Sequence, residues 1–145
     1  MKIVLGVDDS PHSRAATEYV AKSPWPKSTR VIVLSACPPI FLGPGEATSG
    51  DAIQKLMEEQ AAYYREIAEK AGAALKKAGL DVEARMILGD PRSALVETAR
   101  EERADLVAVG SHGRTGLGKI LLGSVASHVV SHAPCSVLVI KLKHP

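Results

Sequence analysis

Short apolar runs rich in β-branched residues alternate along this chain with longer segments whose apolar positions recur every three or four residues. That is the pattern of crossover units laid on a parallel sheet. The runs predict five strands: Ile3 to Val7, Val31 to Ala36, Val82 to Leu88, Leu106 to Val109 and Val137 to Ile140. Their near-continuous Val, Ile and Leu content suits strands covered on both faces. A first helix follows Ser10-Pro11, an N-cap residue and then the residue best tolerated at the first helical position, with Ala15, Ala16, Tyr19 and Val20 as its buried stripe. A second, longer helix carries Ile53, Leu56, Met57, Tyr64, Ile67, Ala71, Ala74, Leu75 and Ala78 on one face and is closed by Gly79. A third opens at Gly89-Asp90-Pro91 and runs toward Arg103, and a fourth begins near Gly123-Ser124 and stops before Pro134. Between the second strand and second helix, Pro38 to Gly50 is too rich in Pro and Gly for regular structure, and reads either as a loose crossover or as a flap over a ligand.

Length and charge narrow the picture. The chain of 145 residues matches one domain spanning 1–145 and is long enough to bury a core around a sheet. Eighteen Lys plus Arg against sixteen Asp plus Glu leave a formal charge of +2, which argues against a dedicated nucleic-acid surface. The apolar start is shorter than a signal peptide's core and no stretch approaches the roughly 20 residues that span a bilayer. The expectation is therefore a cytoplasmic protein with no membrane partner. Cys37 and Cys135 match no metal spacing and read as reduced thiols.

The candidate chemistry lies between Val109 and Val125, a glycine-rich segment joining a buried strand to a helix. In an open parallel sheet, ligands bind beyond the carboxyl ends of the strands, where glycines let backbone N–H groups approach a phosphate closely. Gly123-Ser124 adds a helix N-terminus, whose unpaired amides favour an anion docked against Ser124 and Val125. Two look-alikes fail. Gly113 to Lys119 imitates a P-loop, but Ile120 stands where magnesium needs a hydroxyl, and the segment does not follow the first strand. His128 and His132 are one helical turn apart, but no glutamate follows His128 and no third metal ligand is evident.

Gly110-x-x-Gly113, nine residues, then Gly123-Ser124 is similar to the G-x-x-G-x9-G-[ST] signature of ATP-binding universal stress proteins. The resemblance extends over essentially the whole chain, through Val7-Asp8-Asp9-Ser10, Gly89-Asp90-Pro91, Ala104-Asp105-Leu106-Val107 and Cys135-Ser136-Val137-Leu138-Val139. Ser136 departs from it, standing where many relatives place proline, and Pro38 to Gly50 has no firm family pattern. The resemblance implies a Rossmann-like α/β fold of the adenine nucleotide alpha hydrolase type, with a five-stranded parallel sheet in order 3-2-1-4-5 and helices on both faces. That order sets the first and fourth strands side by side, with Asp8 and Gly110 facing each other across the switch point. It implies that Gly113, Gly123, Ser124 and Val125 hold phosphates, that Gly110 lies beside the ribose and that Ala36 meets adenine through its backbone. Asp8 would serve the ribose or a phosphate-bound Mg²⁺, for which a strand-end carboxylate is a suitable hard ligand. Asp9 is expected to be solvated, as are Arg114 and Lys119.

Function then divides into three readings. One is an ATP-binding regulator whose nucleotide occupancy modulates a homodimer or its partners in a stress response. Another is a slow Mg²⁺-dependent ATPase or phosphotransferase, against which stands the want of a visible general base, since His112 has no evident partner to orient it. A third, a flavin carrier, is disfavoured by the scarcity of aromatic residues, with Trp25, Phe41 and three tyrosines in all. Val137 to Ile140, as a final, β-prone edge strand without an internal charge or proline, predicts antiparallel pairing with a second copy, as relatives commonly do.

Overall fold

The structure is a computed structural model that describes residues 1–44, 50–113 and 121–143. The expectations for Gly45, Glu46 and the positions through 49, and for Arg114, Gly116, Gly118, Lys119 and Ile120, lie outside the described residues. In chain order the elements are β1 (Lys2–Gly6), α1 (Pro11–Lys22), β2 (Arg30–Cys37), α2 (Gly50–Lys77), β3 (Asp81–Leu88), α3 (Pro91–Glu101), β4 (Leu106–Gly110), α4 (Ser124–His132) and β5 (Ser136–Ile140). The strands form one parallel sheet in the expected order, β3-β2-β1-β4-β5.

Alternation along the strands builds two cores. Ile3, Leu5, Val31, Val33 and Ala108 face α1 and α2, meeting Ala16, Val20, Ala68 and Leu75. Val4, Ile32, Leu34, Val107 and Val109 face α3 and α4, meeting Leu95, Ala99, Ala126 and Val129. Burial on both faces holds for β1, β2 and β4, whereas the edge strands β3 and β5 are only half-buried, so the composition of Val82 to Leu88 overstated its cover.

The caps follow the sequence. Ser10 accepts from the Ser13 N–H at 3.1 Å, and Asp90 accepts from the Arg92 N–H at 2.8 Å, each ahead of a proline. Gly79, at φ +93°, takes a conformation that costs other residues strain and turns the chain from α2 toward β3. Helix α3 ends two residues short of Arg103, which itself adopts φ 51° and reverses the chain into β4. Residues 38–44 carry no helix or strand.

Two buried stripes differ from expectation. On α1 the inward positions are Ser13, Ala16, Thr17 and Val20, while Tyr19 is half exposed, because inward-facing hydroxyls satisfy the loop and the helix's own carbonyls there. On α2 only Tyr64, Ala68, Gly72 and Leu75 are buried, whereas Leu56 and Met57 are exposed. The periodic pattern is continuous, but among the described residues burial along α2 begins only at Tyr64. After α1, Trp25 donates its indole N–H to the Val20 carbonyl at 2.7 Å, pinning the helix's far end. Among the described residues no helix is long and apolar enough to cross a membrane.

Ion pairs brace the amino-terminal end of the sheet. Arg85 reaches Glu83 at 2.7 Å and Glu102 at 3.1 Å, Lys2 reaches Glu102 at 3.2 Å, and Arg30 also pairs with Glu83. Hydrogen bonding from Arg85 holds the Glu83 carboxyl below its ordinary range, and Arg85 with Lys2 does the same for Glu102.

A depressed folded-state pKa adds stability that is complete above the unfolded value, about 4.3 for Glu, and is lost as pH falls through the folded value. The thermal midpoint should therefore hold between about pH 7 and 5 and fall below about pH 4. Glu102→Gln should lower the neutral-pH midpoint and flatten that acid fall; an acid limb identical to the parent's would remove the network from the account. Leu75→Ala should cost about 2–5 kcal/mol in urea unfolding, against about 0.5 kcal/mol or less for Leu56→Ala. Equal losses would contradict the exposed start of α2.

Candidate functional site

The order β3-β2-β1-β4-β5 makes the chain leave β1 and β4 in opposite directions, and a crevice opens beyond their carboxyl ends. A cavity of about 480 Å³ occupies it, within the range of small-ligand sites. Asp8, Ala36, Gly110, Gly113, Gly123, Ser124 and Val125 all line this cavity, although they come from widely separated parts of the chain.

Each is positioned by local chemistry. Val7 continues past β1 by donating its N–H to the Leu34 carbonyl at 2.9 Å, which carries Asp8 to the rim. The Asp8 N–H donates to Ser13 Oγ at 2.9 Å, and its Oδ1 accepts from the Ser10 N–H at 2.8 Å. The carboxylate is thereby fixed with Oδ2 toward Gly113, where a Cβ would lie 2.9 Å from that oxygen. Gly123 folds back on the strand end, its N–H donating to the Ser111 carbonyl at 2.7 Å. A Cβ there would lie 3.1 Å from the His112 Cα, tighter than such contacts usually run.

Gly123 is also the N-cap of α4, and it offers no side chain to the helix amides. Ser124 therefore occupies the first helical position rather than the cap. The first amides of α4 have no capping side chain and present partial positive charge at the cavity wall. No lysine or arginine is among the described residues lining the cavity, where Gly113, Gly123, Ser124 and Val125 stand beside Asp8 and His112. Another part of the wall is apolar, with Val7, Leu34, Ala36, Leu95 and Val109 forming a surface suited to a flat heterocycle.

Gly110 has a structural reason to be glycine besides its place on the rim. A Cβ there would lie 2.8 Å from the backbone carbonyl of His12, so α1 can lean on β4 only over a bare α-carbon. That contact also overturns the view of His112 as unoriented. Ser111, only 2% exposed, holds its Oγ 3.1 Å from His112 Nδ1 and 3.3 Å from His12 Nδ1, and the two rings lie 5.1 Å apart. The partner in α1 is 99 residues away in sequence and becomes a neighbour only through the fold.

Ser13, Tyr64 and His112 also line the cavity, and the sequence reading does not assign them to it. The Ser10-x-x-Ser13 spacing after Asp8 is a readable signal for Ser13. Tyr64 has none, because its place on the helical stripe already explains it. Asp9 is exposed, as expected, and accepts a hydrogen bond from the Tyr63 hydroxyl, tying α2 to the loop that carries Asp8.

A single carboxylate suits Mg²⁺ that arrives with phosphate oxygens and keeps its waters, so the Asp8 donor set fits an ion carried in by a nucleotide and not one held by protein alone. Among the described residues no group of three or more His, Cys, Asp or Glu could hold a metal. The His128 and His132 rings instead stack at 4.1 Å, with His132 Nδ1 donating to the His128 carbonyl. Cys37 and Cys135 are free thiols, and burial pushes both up from the ordinary thiol range.

The sequence model described as the universal stress protein family matches residues 1–141. A universal stress protein of Methanocaldococcus jannaschii is 34% identical over 143 residues, covering 97% of this chain and 81% of that protein. Among solved structures, a universal stress protein in complex with cAMP has TM-score 0.66 and 28% identity, over 97% of this chain and 96% of that one. A universal stress protein family protein from Arabidopsis thaliana with AMP bound has TM-score 0.69 and 19% identity, over 99% of this chain and 92% of that one, a likeness of fold. With the family's sequence pattern running through residues 1–141 on this five-stranded parallel sheet, the chain belongs to the universal stress protein family.

Proposed function

We propose that this protein is a cytoplasmic ATP-binding regulator of a stress response, in which nucleotide occupancy modulates a homodimer or its partners, with no nucleic-acid or membrane partner. The observation that carries this reading is the convergence of Asp8, Ala36, Gly110, Gly113, Gly123, Ser124 and Val125 on one cavity with an apolar end and an uncapped helix terminus. Adenine would rest against the apolar wall beside Ala36, the ribose near Gly110, and the phosphates against Gly113, Gly123 and the amides of Ser124 and Val125. A bare phosphate chain would be repelled by the Asp8 carboxylate fixed beside Gly113, so Asp8 and the phosphates would share Mg²⁺. Two solved relatives, crystallised with AMP and with cAMP, support the adenine nucleotide as the ligand class.

Homodimerisation would run through the edge strand β5, Val137 to Ile140, by antiparallel pairing about a two-fold axis. The coupling to nucleotide is supported by register. Gly110 pairs with Ile140, and the Ser111 N–H donates to the Ile140 carbonyl at 2.8 Å, so one strand separates the edge from the cavity wall.

ATP with Mg²⁺ should raise the calorimetric unfolding midpoint, the gain reaching about 2.7 kcal/mol when free ligand exceeds its dissociation constant a hundredfold. Gly113→Leu should abolish that rise while leaving the fold intact, because its first clash is with the Asp8 side chain and not with backbone. Asp8→Asn should weaken binding chiefly when Mg²⁺ is present. If Gly113→Leu binds ATP as well as the parent, the phosphate assignment fails. Sedimentation at micromolar concentration should give a dimer for the parent and a monomer for Val139→Lys; a monomeric parent, or a dimeric variant, would exclude pairing through β5.

A further inference from the structure

Asp8 walls two cavities. Besides the crevice described above, it lines a groove of about 500 Å³ between α1 and α2, with Ser13 and Thr17 on one side and Tyr63 and Ile67 on the other. The turn that carries it is thus a partition between two cavities, with Asp8 half-buried and Asp9 exposed. Hydrogen bonds, more than packing, set the position of such a turn. From α1, Ser13 Oγ accepts from the Asp8 N–H at 2.9 Å, and Arg14 Nη1 donates to the Asp9 carbonyl at 2.9 Å. From α2, the Tyr63 hydroxyl donates to the Asp9 carboxylate.

Adjacent tyrosines of α2 line the cavities on either side of this turn. Tyr64 walls the nucleotide cavity, whereas Tyr63, about 100° round the helix, walls the groove and stands edge-on to its neighbour with ring centroids 5.3 Å apart. The peptide joining Asp8 to Asp9 is a rigid plane, so a shift of Asp9 also turns the backbone from which the Asp8 side chain hangs. That side chain has little latitude. Its Oδ2 lies 2.9 Å from where a Cβ on Gly113 would stand, at the end of the cavity assigned above to phosphates.

We propose that Tyr63 is a positioning residue for the nucleotide site: by holding Asp9 it sets the direction of the Asp8 carboxylate, and so governs how tightly the cavity takes a nucleotide that carries Mg²⁺. The proposal rests on the nucleotide reading and deepens it, assigning a role at the site to a residue outside the cavity. The dependence on metal follows from charge. Without Mg²⁺, the Asp8 carboxylate repels phosphate, and holding it in one direction brings no gain. Mg²⁺ shared with the phosphates demands near-ideal octahedral geometry, so affinity then depends on where the carboxylate points. By linkage, a magnesium nucleotide strengthens the Tyr63 to Asp9 contact by the same factor as that contact strengthens its binding. Occupancy of the cavity is thereby felt in α2, at the point along the helix where burial begins.

Three measurements on the full chain separate this role from the binding on which it rests. Calorimetric titration with ATP should show Tyr63→Phe weakening binding about fivefold in the presence of Mg²⁺ and less than about twofold in excess chelator. In an Asp8→Asn background the same Tyr63→Phe change should add less than about twofold, because its effect passes through that carboxylate. In the nucleotide-free protein, the carboxyl ¹³C resonance of Asp8, identified as the one lost in Asp8→Asn, should move in Tyr63→Phe. Affinity for the magnesium nucleotide equal to the parent's, a loss of the same size with and without Mg²⁺, losses that multiply in the double variant, or an unmoved Asp8 resonance would each overturn the assignment. Failure of the parent to bind ATP would instead sink the nucleotide reading, and the role of Tyr63 in it.

Discussion

The carboxyl end of the sheet is organised by one close approach, that of the first turn of α1 to the bare α-carbon of Gly110. With a Cβ 2.8 Å from the His12 backbone, the helix would have to lift away from β4. With glycine there, α1 settles against β4, His12 comes within reach of Ser111, and Ser10 and Ser13 are placed to hold Asp8. The opposite face of the same β4 end, through Ser111 and Gly123, carries α4 to the rim. Cavity, carboxylate and helix terminus thus share a dependence on how tightly one helix can pack on one strand. Small residues at Gly110, Gly113 and Gly123 follow from that crowding as much as from any ligand.

Much of this was legible in the sequence because the relevant signals are local. A run such as Val31 to Leu34 can hardly be anything but a buried strand, and Ser10-Pro11 and Asp90-Pro91 announce helix starts by chemistry that needs no tertiary contact. The strand order and the ligand class came from resemblance, not from periodicity. What escaped was set by contacts between distant segments. Leu56 and Met57 carry the same spacing as Leu75, yet they are exposed where Leu75 is buried, a difference set by tertiary packing that periodicity does not encode. Tyr19 has the right period and the wrong neighbours. Tyr64 satisfied the helical stripe and so gave no hint that it also walls the cavity. His112 seemed unsupported because its support is Ser111, whose other partner, His12, lies 99 positions from that serine.

The two ends of the sheet use electrostatics differently. At the amino-terminal end, Lys2, Arg30, Glu83, Arg85 and Glu102 pair side chain with side chain at the half-exposed periphery, where such pairs add modestly to stability and screen readily with salt. At the carboxyl end, the cavity meets the uncapped amides of α4 and the fixed Asp8 carboxylate, while Asp90 pairs with Arg92 at 2.7 Å beside it, ahead of α3. Fixed dipoles need little reorganisation when an anion arrives.

The placement of the aromatic residues gives the molecule two spectroscopic windows. Trp25, the chain's only tryptophan, is pinned to the last turns of α1 through the Val20 carbonyl, roughly 18 Å of helix away from the loop that carries Asp8. Tyr64 walls the cavity, and Tyr63 stands edge-on to it with its hydroxyl on Asp9. Indole emission therefore follows the cohesion of the α1 layer, whereas the ring resonances of Tyr63 and Tyr64, as distinct from those of Tyr19 on α1, follow the crevice. Loss of global order and a local rearrangement at the rim become separable in the unlabelled protein.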